Sequence, residues 1–167
     1  MEMQRYFYTE KFALIPKQVF THELGREALA AQFQLEEDAP MGVCSPDGQE
    51  VVVVYHQLQE GLPFVLRLME EAATIEDYNK VAFHYSKEKG IAHIIIYTGN
   101  DLRLANSFKV DSYESALYFL FLSIKGLQMN PQQCMVHICW GIDAAQKQTA
   151  DRFFKGAQVK DLDTYIK

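Results

Sequence analysis

The chain has 167 residues, 49% of them hydrophobic and 23% charged, with a formal net charge of −6. That is ordinary globular composition, long enough to bury about 70% of the surface an unfolded chain exposes, so no disulfide or metal staple is needed. The acidic balance and scattered Lys and Arg exclude a phosphate-backbone partner, which needs a clustered basic face, and the lack of about 18 consecutive apolar residues excludes a membrane-spanning helix.

Taken in chain order, RYFYT at 5–9 is short and mixed, a candidate edge strand. Phe12 to Ile15 reads as a strand stopped by Pro16, which has no N–H to give a ladder. Thr21 is placed to cap a helix through Phe33 with Leu24, Ala28 and Ala31 along one face, although Gly25 inside it is a poor helix former. Glu36-Glu37-Asp38 and Pro40 mark a loop, and a hairpin is expected to join 41–44 to 50–56 through the turn Ser45-Pro46-Asp47-Gly48. Val51 to Val54 is a continuous apolar run, as in a strand covered on both faces. Pro63 is expected in the first turn of a helix to Ala73 whose inner face is Val65, Leu66, Met69 and Ala73.

The most informative stretch follows. Val81 to Tyr85 alternates, the turn Ser86-Lys-Glu-Lys-Gly90 leads into Ile91, and the β-branched Ile94-Ile95-Ile96 favours a pleated backbone. Gly99-Asn100 suits a two-residue type I′ turn, which completes a three-stranded meander over 81–110. In its last strand Leu102, Leu104, Asn106, Phe108 and Val110 fall on one face, so Asn106 is expected to be a buried amide bracing a neighbouring loop. A helix then starts at Asp111 or Ser112, with Asp111 and Glu114 at capping-box spacing, and lays Tyr113, Leu117, Leu120, Ile124 and Leu127 on the sheet. Tyr118, Phe121 and Leu122 lie off that stripe, so the helix is apolar on more than one side and reads as a central core helix, with a large core, a second layer or a partner expected to cover them. Asn130-Pro131 ends the helical pattern, Met135 to Trp140 is a further strand, and Asp143 to Phe154 is an amphipathic helix stopped by Gly156.

A three-strand meander followed by helix, parallel strand and helix is the order of a ribonuclease H-like or actin-like ATPase half. FALIPKQVF, VVVVYHQL, the meander with LRLANSF, the helix start DSYESALYFL and the strand CMVHICWG together resemble domain-of-unknown-function family 3822, uncharacterised proteins of Bacteroidetes with an actin-like ATPase fold. The resemblance runs from about Phe12 to Trp140 and implies a mixed-sheet α/β (α+β) fold, with no activity to carry over. Residues 1–74 are expected to form a reduced N-terminal actin-like lobe and 75–167 a C-terminal ribonuclease H-like lobe, the first lobe lacking leading strands before Phe12 unless another copy of the chain completes it.

No nucleophile, metal cluster or phosphate loop stands out. An actin-like ATPase wraps phosphates with backbone N–H groups of small acidic turns, and an Asp holds the metal. Ser86-Lys-Glu-Lys-Gly90 offers neither an Asp nor a Gly pair, and Thr98-Gly99-Asn100-Asp101 is explained by its turn. A two-metal nuclease needs converging carboxylates, whereas the strands carry His84 and His137, and Glu114 stands alone. His84, His93, His137 and Cys139 are zinc-type side chains without a compact ligand spacing. Cys44, Cys134 and Cys139 lack CxxC spacing and fit reduced thiols, so with no apolar N-terminal signal segment a cytoplasmic location is expected.

The functional expectation is therefore a non-catalytic protein-interaction or scaffold protein, with Tyr118, Phe121 and Leu122 as its interaction surface, a protein partner or homodimer, and no cofactor, metal, nucleic acid or membrane. The alternative is a divergent nucleotide-binding ATPase relative.

Overall fold

The computed structural model describes residues 4–166. The chain forms two compact units, the first running to Arg67 and rejoined by the chain from Tyr165, the second spanning Leu68–Thr164.

In the first unit a short strand β1 (Tyr6–Phe7) pairs in parallel with β5 (Leu62–Pro63). The candidate edge strand in RYFYT is therefore present, over Tyr6–Phe7. Between them β2 (Phe12–Pro16), α1 (His22–Gln32), β3 (Met41–Cys44) and β4 (Val51–His56) build an antiparallel sheet in the order β2-β4-β3. Thr21 caps α1 by accepting the N–H of Leu24 at 3.0 Å. The helix buries Gly25 and Leu29, while the expected inner residue Ala31 is exposed. Gly25 explains the shift, because a Cβ there would meet Val54 Cγ1 at 3.1 Å and Met41 Sδ at 3.2 Å. The missing side chain lets α1 settle onto the sheet, and its contact rotates to Leu24, Gly25, Ala28 and Leu29.

Pro63 ends β5 and does not open the next helix, α2 (Phe64–Ala73). Val65, Leu66 and Met69 are buried as expected, but Ala73 is exposed and Phe64, Leu68 and Ala72 are buried in addition. The buried arc is thus wider than one amphipathic stripe, as in a helix buried on most sides.

The second unit is built on a five-stranded sheet. β6 (Asn79–Ser86), β7 (Ile91–Thr98) and β8 (Asp101–Lys109) form the antiparallel meander. After α3 (Tyr113–Gly126), β9 (Met135–Ile138) lies parallel beside β6, with Val81 opposite Val136 and Phe83 opposite Ile138. After α4 (Ala144–Phe153), β10 (Gly156–Val159) pairs in parallel with β9 and completes the order β10-β9-β6-β7-β8. Gly156, read as a helix stop, is the first residue of this strand. Four residues without a β-branched alternation gave no period to read.

One sheet face and the helices close the core. Val81, Phe83, Ile94, Ile96, Val136 and Ile138 meet Ala116, Leu117, Leu120 and Ile124 of α3 and Ala150 of α4. Each large side chain buried here contributes about 1.5–3 kcal/mol relative to exposure. The N-cap of α3 is Ser112, which accepts the N–H of Ser115 at 3.1 Å, while Asp111 accepts the Ser115 hydroxyl at 2.9 Å.

β8 departs from the expected alternation. A bulge sets Tyr97 opposite Leu102 and Ile96 opposite Leu104, so Leu102 leaves the face that Leu104, Asn106 and Phe108 share. Asn106 is exposed on this edge strand, and its Oδ1 accepts the N–H of Ser107 at 2.8 Å. It braces its own strand, contrary to the expected buried role, because an edge strand leaves its outer residues in water.

Candidate interaction face and the histidine-bearing sheet surface

The period of α3 turns its second apolar stripe away from the sheet. Tyr118 and Leu122 are 62% and 46% exposed, whereas Phe121 is half-buried against Phe153, with ring centroids 5.2 Å apart. Among the described residues no second layer covers Tyr118 and Leu122, so the within-chain cover expected for them is missing and only a partner could supply it. Between α3 and α4 runs a shallow groove of about 310 Å³ lined by Glu114, Leu117, Tyr118, Phe121, Thr149 and Phe153. Thr149 and Phe153 went unread as surface residues, while Leu117, read as sheet-facing, is buried and reaches only the floor of the groove. Phe153 carried a signal, being a large aromatic at the end of an otherwise polar helix.

The other face of the same sheet carries the histidines. His84 and His93 are direct cross-strand neighbours, and His137 lies opposite Ala82, so β6, β7 and β9 place all three imidazoles on one side. All three are buried. His84 Nε2 lies 2.7 Å from Asp163 Oδ1, and His137 Nδ1 lies 3.0 Å from Glu71 Oε1. Cys139 donates its thiol to the carbonyl of His137 at 3.4 Å. The sheet thus gathers the zinc-type residues on one side but pairs two of them with carboxylates, and among the described residues no three His, Cys, Asp or Glu side chains form a group able to hold a metal ion. A carboxylate hydrogen-bonded to a buried imidazole fixes ring orientation and satisfies a polar group in the interior.

The two tight turns are occupied by their own hydrogen bonds. In 86–90 the N–H of Lys89 donates to Ser86 Oγ at 3.2 Å and the N–H of Gly90 to the Ser86 carbonyl at 2.8 Å. The N–H of Gly99 donates to the Tyr78 carbonyl at 2.7 Å. Of the two residues in that hairpin loop Gly99 has a positive φ of 60° and Asn100 does not, which is the pattern of a II′ turn, not the expected I′. These three amides are spent on protein carbonyl and hydroxyl oxygens, whereas a phosphate cradle needs its amides free for the ligand.

The strand order, with the meander running outward from β6 and two parallel strands on its other side, defines a ribonuclease H-like unit of the kind found in actin-like ATPases. Comparison with solved structures agrees. A crystal structure from Bacteroides thetaiotaomicron VPI-5482, of a protein with actin-like ATPase fold and unknown function, is similar with a TM-score of 0.72 and 16% sequence identity, covering 96% of this chain and 68% of that one. At that identity the likeness shows the fold. Residues 58–155 match the family described as "Protein of unknown function (DUF3822)", more than half of the chain, and the chain belongs to that family. The match takes in α2, the meander, α3, β9 and α4, and leaves FALIPKQVF and all but the last residue of VVVVYHQL outside it. Comparison with curated proteins gives no match. Among the described residues no helix is long and apolar enough to cross a membrane.

Proposed function

We propose that this protein is a non-catalytic interaction protein, acting in the cytoplasm, that uses the α3–α4 face of an actin-like fold to hold another polypeptide. The observation that carries the reading is the outward pair Tyr118 and Leu122, 62% and 46% exposed beside the groove that Phe121 and Phe153 help to line. Contiguous apolar surface of this kind mostly marks interaction sites, and covering it returns hydrophobic free energy that the isolated chain does not collect. The turns speak against the nucleotide alternative, because a triphosphate needs donors or cations to match its charge and the amides of Lys89, Gly90 and Gly99 are already engaged.

Two measurements test this. Calorimetric titration of the full chain with magnesium–ATP is expected to give no heat of binding. Micromolar binding that disappears in Lys87→Ala and Lys89→Ala would overturn the reading in favour of the ATPase relative. Replacing Tyr118 and Leu122 together by Asp is expected to move Tm by no more than about 2 °C, as for surface substitutions. A drop as large as that from truncating Leu120 would assign these side chains to the fold instead.

A further inference from the structure

The exposed side of α3 carries more than apolar residues. Glu114 in the first turn and Lys125 in the last are both exposed, and eleven residues is close to three helical turns, so they emerge on the same side as Tyr118 and Leu122. Lys125 Nζ sits 5.5 Å above the ring of Phe121, which keeps the positive head over the apolar strip. The face therefore reads acid, apolar centre, base, and it is symmetric about a point between Phe119 and Leu120. Glu114 and Lys125 are equidistant from that point, as are Tyr118 and Phe121, and as is Leu122 from Leu117, which is buried against the sheet but lines the groove.

An isologous interface requires this arrangement, because in it residue i meets residue j and j meets i. We propose that the occupant of the α3–α4 face is a second copy of this chain, its α3 antiparallel across a two-fold axis passing between Phe119 and Leu120. Glu114 then meets the partner's Lys125, and Tyr118 meets the partner's Phe121. Leu122 meets the partner's Leu117, which places it at the mouth of the partner's groove. The contact of Glu114 with the partner's Lys125, formed twice by the two-fold, gives two ion pairs about 16 Å apart along the helix that bracket an apolar centre. Antiparallel alignment also sets each helix's positive N-terminal end beside its neighbour's negative C-terminal end. A foreign partner has no need to match a spacing that is complementary to itself. The inference rests on the reading that this face binds protein.

The test is sedimentation velocity on the full chain from low micromolar to near-millimolar concentration, with circular dichroism confirming that each variant is folded. The wild type is expected to show a reversible monomer–dimer equilibrium. Leu122→Asp, Glu114→Lys and Lys125→Glu should each weaken it about tenfold or more, since each change acts at two symmetric places, and the double variant E114K/K125E should restore it. A wild type that stays monomeric throughout overturns the second copy and leaves the interaction reading to a different partner. A dimer indifferent to Leu122→Asp uses another surface and overturns both. A dimer that Leu122→Asp breaks and the charge swap fails to restore overturns the antiparallel two-fold alone.

Discussion

Removing an imidazole or a carboxylate from water costs free energy unless its polar atoms find partners, and the sheet meets that cost through pairs such as His137 with Glu71. Both members are about nine-tenths buried, so deleting Glu71 takes from His137 the carboxylate that its Nδ1 meets. Glu71→Ala is expected to lower stability by about 1–3 kcal/mol, and Glu71→Gln by less, because the amide can still hydrogen-bond. Urea unfolding measures both, and equal losses would mean that packing, not the hydrogen bond, dominates at Glu71. The His84–Asp163 contact should count for less, since its carboxylate is 54% exposed and water competes for it. The histidines were visible in the sequence. Their partners were not, lying 66 and 79 residues away along the chain with no local signal to connect them.

At the scale of elements, α3 was the most legible piece of the molecule. Its spacing of three and four placed Tyr113, Leu117, Leu120 and Ile124 on the sheet, and all four are buried. The same periodicity turned Tyr118 and Leu122 outward. Helix α1 was read less well, because propensity counts Gly25 as a weakness while packing uses it as the point of closest approach. Gly25→Val is expected to destabilise the chain by about 1–3 kcal/mol, since its methyl groups must enter space held by Val54, which is fully buried. Gly25→Ala should be near neutral, the better helix propensity of about 1 kcal/mol offsetting the compression against Met41. Thermal or urea melts of the two variants decide this. If Val is tolerated as well as Ala, close approach is not what places glycine there.

For the molecule as a whole, the core makes its own prediction about alkali. Burial pushes the Tyr97 hydroxyl up to about 12 from 10.0. It does the same at Tyr55, helped by Cys44, and at Tyr113, helped by the charges of Asp143, Glu114 and Asp151. Cys134 rises to about 11 from 9.0, through burial and then Asp77. Each of these groups is neutral when protonated, so the folded chain holds these protons more tightly than the unfolded one. Their stabilising share is complete below pH 9 and is lost as pH rises toward about 11 for Cys134 and about 12 for the tyrosines. Chemical denaturation at stepped pH should show stability falling from about pH 9 upward, and tyrosinate absorbance should reveal a late-titrating class released on unfolding. If all the tyrosines ionise near pH 10 in the folded protein, this account of the core is wrong. On the acid side Asp77 is held below its usual value by its hydrogen bond to Lys155, whose half-exposed ammonium group is screened by solvent, so little of that effect reaches stability.

The sequence by itself determined the meander, the long helix, the return strand and helix α4, because each rests on a local period, a cap or a turn that neighbouring residues specify, and the order of these elements with their motifs pointed to the family. It also marked Tyr118, Phe121 and Leu122 as surplus to the sheet-facing stripe. Tertiary structure alone decided the rest. The bulge that turns Leu102 to the other face, the exposure of Asn106, the strand at Gly156 and the carboxylates beside the histidines all depend on what a residue meets across the fold. A period of two or of three to four says which way a side chain points from its own backbone. It does not say what stands opposite, and pairing register, edge position and partners tens of residues distant are settled only when the whole chain has closed.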